Sequence, residues 1–99
     1  MNVTDVQIEE TITLSTNRVK KSGNVISGSV GFTKSTTGWV TIGTIAAAPF
    51  AQYDFPLIRN NDGLHIGILR ISENGTISVY SADAAGDVSA SFSYISIMT

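Results

Sequence analysis

Near its C-terminus the chain alternates without a break: Val88, Ala90, Phe92 and Tyr94 on one parity, Ser89, Ser91 and Ser93 on the other. A period of two sends the first set to one face of a β-strand and the second to the opposite face, and no helix can hold that pattern. The same period runs through residues 25–32, where Ile26, Val30 and Phe32 share a face with Gly28 while Ser27 and Ser29 point away. A glycine on an apolar face marks a place where another backbone or ring comes close. Between such stretches stand turn signals: Ser22-Gly23-Asn24, Ser35-Thr36-Thr37-Gly38, Asn60-Asn61-Asp62-Gly63, Glu73-Asn74-Gly75 and Asp83-Ala84-Ala85-Gly86-Asp87. Short strands punctuated at such intervals predict an all-β fold, an antiparallel β-sandwich or jelly-roll-like barrel of about eight strands, with no helix beyond a single turn.

Composition agrees. Ile and Val together number 20 against 4 Leu, and Ser and Thr number 23. β-branched side chains suit a pleated surface, and hydroxyls can occupy its outer face without adding charge. Val6, Ile8, Ile12 and Leu14 predict a first strand, interrupted only by a solvated Glu10. Residues 39–45 predict another, with Val40 and Ile42 on one face and Trp39, Thr41 and Ile45 on the other. Residues 46–51 are too short for a stable helix and read as an irregular crossing. Tyr53, Phe55 and Leu57 form a strand that Pro56 confines to an edge or a bulge. Residues 64–71 are apolar on both faces, which places them centrally or under a neighbouring subunit. After Tyr94 the apolar positions switch to Ile95 and Ile97, the mark of a bulge or a new burial partner.

Several function classes are excluded or unsupported. At 42% apolar and 14% charged residues the chain is not disordered, and a net charge of −2 gives no nucleic-acid footprint. No apolar run approaches the ~20 residues of a membrane-spanning helix, so membrane insertion is not expected, and no signal peptide is visible. Without cysteine there is neither a disulfide framework nor a thiolate metal site.

Catalysis finds little support. His65 is the only histidine, lies in an apolar strand and has no Gly-Xaa-Ser-Xaa-Gly elbow to serve, so it reads as structural or ligand-contacting. The acids Asp54, Asp62, Glu73, Asp83 and Asp87 fall at strand ends and loops rather than as a catalytic pair. The loops around Asp62 and residues 83–87 lack the spacing of a calcium loop, and no metal or cofactor is expected. Asn2-Val3-Thr4 and Asn74-Gly75-Thr76 fit the glycosylation triplet, but the second reads better as a turn. The lone Trp39 reads first as a core or interface residue and second as a stacking surface.

The order of motifs then carries a resemblance. Val19-Lys20-Lys21-Ser22-Gly23-Asn24-Val25-Ile26, Ser27-Gly28-Ser29-Val30 and Trp39-Val40-Thr41-Ile42-Gly43-Thr44-Ile45 come first. Phe55-Pro56-Leu57, Leu69-Arg70-Ile71, Glu73-Asn74-Gly75-Thr76-Ile77-Ser78-Val79 and Phe92-Ser93-Tyr94-Ile95 follow. This set resembles the C-terminal head modules of bacteriophage tail-fibre and baseplate receptor-binding proteins, those of phages of Gram-positive bacteria above all, over about residues 18–97. One departure is Ala46-Ala47-Ala48-Pro49-Phe50-Ala51, where such modules carry Pro-Xaa-Gly-Tyr-Arg-Pro. The resemblance implies a β-sandwich head at residues 18–99, with residues 1–17 a peripheral strand or a connection to a shaft. It implies a homotrimer in the virion tail tip, made in the bacterial host cytoplasm, and no enzyme activity. Its expected partners are a host cell-wall saccharide or teichoic acid and other tail or baseplate proteins. The alternatives are a purely structural trimerisation or spacer module, and a monomeric carbohydrate-binding domain. Strands apolar on both faces and a hydroxyl-rich surface suit packing about a three-fold axis, through residues 64–71 or 95–98.

A sugar site needs an aromatic face and planar polar groups. The residues offering both are Trp39, Tyr53, Asp54, Arg59, Asn61, Asp62 and His65: Trp39 to stack, Arg59 and Asp62 to orient hydroxyls or a phosphate, His65 to donate. The plainer reading has Trp39 in the core, Arg59 paired with Asp62, and residues 61–63 merely turning the chain.

Overall fold

The computed structural model describes residues 3–96, and every regular element among them is a strand. In chain order these are β1 (Val3–Asp5), β2 (Ile8–Glu10), β3 (Thr16–Ser22), β4 (Val25–Lys34), β5 (Gly38–Ile45), β6 (Tyr53–Arg59), β7 (His65–Ile71), β8 (Thr76–Ser81) and β9 (Gly86–Ile95). All pair antiparallel in one nine-stranded sheet of order β1-β3-β4-β9-β6-β7-β8-β5-β2.

The strand beyond the expected eight arises because the first apolar stretch divides. Val3–Asp5 pairs with β3 and Ile8–Glu10 with β5, at opposite ends of the sheet, with only Val6 and Gln7 between them. Three steps of extended chain cover about 10 Å, so the sheet must curl until its two ends lie side by side. Ile12 and Leu14, expected to continue a strand, lie instead in the irregular link to β3. Glu10 fixes that link. Its carboxylate accepts the Leu14 N–H at 2.8 Å and the Asn17 amide at 3.1 Å. Those bonds, the Leu14 one foremost, hold its carboxyl below the usual range.

A second fold-over lies between β9 and β6, which pair only through Ile58 with Ser89 and Arg59 with Val88. Beyond these positions the strands diverge and aromatic rings occupy the gap. Phe55 meets Phe92 at 6.0 Å between centroids, and Tyr53 stacks on Tyr94 at 6.4 Å and 19°. Pro56 stands in the part of β6 without a β9 partner, the edge-like setting that proline requires.

The two halves bury one core. Ile26, Val30, Phe32, Val88, Ala90 and Phe92 meet Ile42, Leu57, Leu69, Ile71, Ile77 and Val79 in it. The inward parity expected for β4 and β9 is the one observed. In β5 the register shifts between Thr41 and Gly43. The extra residue reverses the alternation after it, so Ile45 joins Ile42 in the core instead of facing Trp39's side. At the other end the alternation does not switch. Ile95 points out opposite Val25, and Ser96 is buried with its hydroxyl donating to the Ala48 carbonyl at 3.2 Å. Ile97 lies outside the described residues. Residues 46–51 form the expected irregular crossing, with Pro49 bridged to Ser96.

At Gly28 the backbone of β3 leaves no room for a side chain on β4. A Cβ there would stand 2.2 Å from the Arg18 carbonyl oxygen and 2.7 Å from the Val19 Cα, both backbone atoms that cannot step aside. Gly28→Ala is expected to lower unfolding free energy by about 1–3 kcal/mol. Gly31→Ala, whose nearest neighbour stands at 3.3 Å, should lose less. Urea unfolding followed by circular dichroism separates the two, and equal midpoints would contradict the crowding at Gly28.

Tyr94 supplies a second test. Its hydroxyl donates to the Ala47 carbonyl at 2.6 Å, and burial pushes its pKa from 10.0 up to about 12. A raised folded-state value means a contribution fully present below pH 10.0 and lost as pH rises toward about 12. Tyr94→Phe should therefore be less stable near neutrality and should lose less of its remaining stability across that alkaline window, as read by urea midpoints at successive pH values.

Candidate functional site

The curl leaves the outer face of β6, β7, β8 and β5 open, and the register sets two rows across it. Pro56, Ile68, Tyr80 and Trp39 stand opposite one another in turn, as do Asp54, Arg70, Ser78 and Thr41. Alternation along β5 puts Trp39 on this outer parity, so it is not the core residue of the plainer reading: it is 49% exposed. Trp39 and Tyr80 meet at 5.3 Å between centroids, tilted by 50°. The Arg70 guanidinium carbon lies 4.6 Å from the centre of the indole.

Asp54 holds that guanidinium in place. Arg70 Nε donates to Asp54 Oδ1 at 2.9 Å and Nη2 to Oδ2 at 3.2 Å. A two-point fork fixes orientation as well as distance, and a cation fixed over an indole is drawn to its electron-rich face. The hydrogen bonds from Arg70 hold the Asp54 carboxyl below its usual range, while the pairing raises Arg70. Beyond the fork, the Thr41 and Ser78 hydroxyl oxygens lie 3.4 Å apart. The four strands cover about 14 Å at the usual strand spacing. The surface therefore presents a half-exposed aromatic pair beside a rigid fork and two hydroxyls, with chemistry for C–H patches and hydroxyl groups together.

Of the seven residues singled out in the sequence, only Trp39 and Asp54 belong to this face, linked through Arg70. Tyr53 takes the opposite parity and stacks on Tyr94 at the divergent β6–β9 seam. Arg59 and Asp62 close the β6–β7 hairpin on themselves, with Nη2 to Oδ2 at 2.5 Å and both carboxylate oxygens 3.1 Å from Nε. Asp62 also accepts the Leu64 N–H at 3.1 Å, and Gly63 takes a φ of 72° that completes the turn. Asn61 is exposed on that turn. His65 donates from Nε2 to the Gly67 carbonyl at 2.7 Å on its own strand. This hairpin group sits about 10 Å along the strands from the Pro56–Ile68 positions, and Trp39 is a further two strands across. The seven do not form one site.

Arg70 and Tyr80 complete the face and were not among those seven. Parity alone places Arg70 outward with Ile68, but only the β7–β8 and β8–β5 registers bring it to Trp39. Among the described residues no group of three His, Asp or Glu side chains could hold a metal ion. Comparison with known proteins finds no matching family model, curated relative or solved structure.

The fork predicts an acid response. A depressed Asp54 value means an interaction present above the ordinary carboxylate range and lost as pH falls through the folded-state value. Emission of the single tryptophan should shift in acid as Arg70 is released, and Asp54→Asn should show the shifted emission already at neutral pH. Identical acid titrations of the two proteins would refute the coupling.

Proposed function

We propose that this chain is an adhesive head module of a bacteriophage tail fibre or baseplate, assembled as a homotrimer, that holds a host cell-wall saccharide on its Trp39–Tyr80 face. The observation supporting this most directly is the exposed aromatic pair flanked by the Arg70–Asp54 fork. A sugar ring offers an apolar C–H face to an aromatic ring and equatorial hydroxyls to planar polar groups, and this face carries both. The module works by adhesion, without catalysis, at the tail tip of the virion. Its motif order, from residues 19–26 to residues 92–95, is the ground for placing it in a phage tail.

Trimer assembly draws on exposed apolar side chains. Leu64 is 54% exposed beside β7, and Ile95 and Val25 form an outward pair at 49% and 41%. Such surface is better covered than solvated, and identical neighbours related by a closed rotation can cover it. Met98 and Ile97, named with Ile95 as interface candidates, lie outside the described residues.

In a binding assay against host cell-wall fractions, Trp39→Ala and Tyr80→Ala should each weaken adhesion about tenfold, equivalent to about 1.4 kcal/mol. Asp62→Ala should leave adhesion intact, because its carboxylate serves the hairpin. Full adhesion by both folded aromatic variants would overturn the site. Sedimentation equilibrium should give a trimer mass, and a monomer at micromolar concentration would overturn the assembly. A trimer that adheres to no fraction would favour a spacer role.

A further inference from the structure

A different part of the molecule carries an inference that does not rest on the saccharide reading. At one end of the curled sheet, between the link after β2, the end of β4 and the start of β5, lies an open cavity of about 530 Å³. Its lining includes the apolar Ile12, Phe32 and Val40 and the hydroxyl-bearing Thr13, Ser15 and Ser35. Lys34 is part of the same wall and is only 1% exposed.

Lys34 lies on the inward parity of β4 opposite Gly86, which brings no side chain to crowd its stem. Its ammonium donates to the Thr36 carbonyl at 2.6 Å, the one side-chain hydrogen bond it makes among the described residues. Among the described residues no carboxylate lies within ion-pairing distance of it. The ion pairs there are Lys20–Asp5, Arg59–Asp62 and Arg70–Asp54. Asp87, on the strand beside it, is bonded to the Thr33 hydroxyl at 2.7 Å on the outward parity. A buried ammonium without a counter-charge is unfavourable, and burial holds its pKa below the ordinary value. An anion seated in the adjoining cavity would supply the missing counter-charge.

We propose that this cavity is a binding site for a small oxyanion group, a phosphate or a carboxylate, with Lys34 as its counter-charge and Thr13, Ser15 and Ser35 as hydroxyl donors. The cation supplies attraction, the hydroxyls can each donate one hydrogen bond, and the wall of Ile12, Phe32 and Val40 weakens competition from water. Val40 and Trp39 are neighbours on opposite faces of β5, so the cavity and the aromatic face are separate sites.

The test is a titration of the isotope-labelled native chain with sodium phosphate and, separately, sodium acetate, each against sodium chloride at matched ionic strength. Saturable amide shifts confined to residues 12–15 and 32–37 are expected with at least one of the two, and the stronger identifies the group as phosphate or carboxylate. The Lys34 side-chain resonances should move with the same midpoint. Failure of both anions to exceed chloride, or a stationary Lys34 signal, would overturn the proposal without any variant. Lys34→Met, where folded, should abolish the saturable shifts, and their survival would remove Lys34 from the site. Trp39→Ala should leave anion binding unchanged while losing adhesion, so the two sites can fail separately.

Discussion

The two-residue span between β1 and β2 is the constraint on which the molecule turns. An extended chain cannot place consecutive strands at the two ends of a flat nine-stranded sheet, whose ends would lie about 38 Å apart at ordinary strand spacing. The sheet is therefore curled into a half-barrel, with its two end strands brought near each other by the chain but not paired to each other. The Val6 N–H donates to the Val19 carbonyl at 3.0 Å on one side, and the Thr11 N–H to the Ile42 carbonyl at 2.9 Å on the other. The two edges that remain are short and charged. Both end strands belong to one short segment carrying Asp5, Glu9 and Glu10, and charge on a short edge discourages pairing with another chain. The Lys20–Asp5 ion pair between β1 and β3 is exposed and contributes about 0–1 kcal/mol, so the curl rests on the two end ladders and the core.

Because the sheet curls around one core, its inner and outer faces have different chemistry. The inner face is a single apolar core of Ile, Val, Leu and Phe, with Tyr94 spending its hydroxyl on a backbone carbonyl. The outer face keeps serines, threonines and the few large side chains that parity sends outward. The β5 bulge preserves that division. It lets Ile42 and Ile45 both enter the core while Trp39 stays outside, whereas an unbroken strand would have buried one isoleucine and wasted the other.

Charge in this protein is mostly spent locally. Arg59 and Asp62 hold a turn, Glu10 holds a link, and Arg70 and Asp54 hold each other across adjacent strands. Only the last pair touches an exposed aromatic ring, which converts a surface ion pair of small energetic value into a shaped polar face. Lys34 departs from this habit, being buried at a cavity wall with a backbone carbonyl as partner.

Local pattern was enough to give an all-β antiparallel chain, the turns and the inward sets of β4 and β9, though not one curled nine-stranded sheet in place of the expected sandwich or jelly-roll, because a period of two and an Asn-Gly or Asp-Gly pair act through the backbone of adjacent residues. Turn chemistry likewise made the Arg59–Asp62 pairing legible, since the two are three residues apart. The division of the first apolar stretch was not legible. Ile8 and Ile12 look alike in sequence, and only the β3 and β5 partners decide where that strand ends. Nor was the β5 bulge, since inserting one residue changes a register that exists only between strands. The aromatic face was half visible. Trp39 and Asp54 stood out by residue type, but Arg70 and Tyr80 join them through strand pairings from Asp54 across to Trp39, spanning three adjacent ladders. A sequence specifies which face each side chain takes along its own strand. Which side chains become neighbours depends on hydrogen-bond register between distant segments, and that is fixed only when the whole sheet curls around one core.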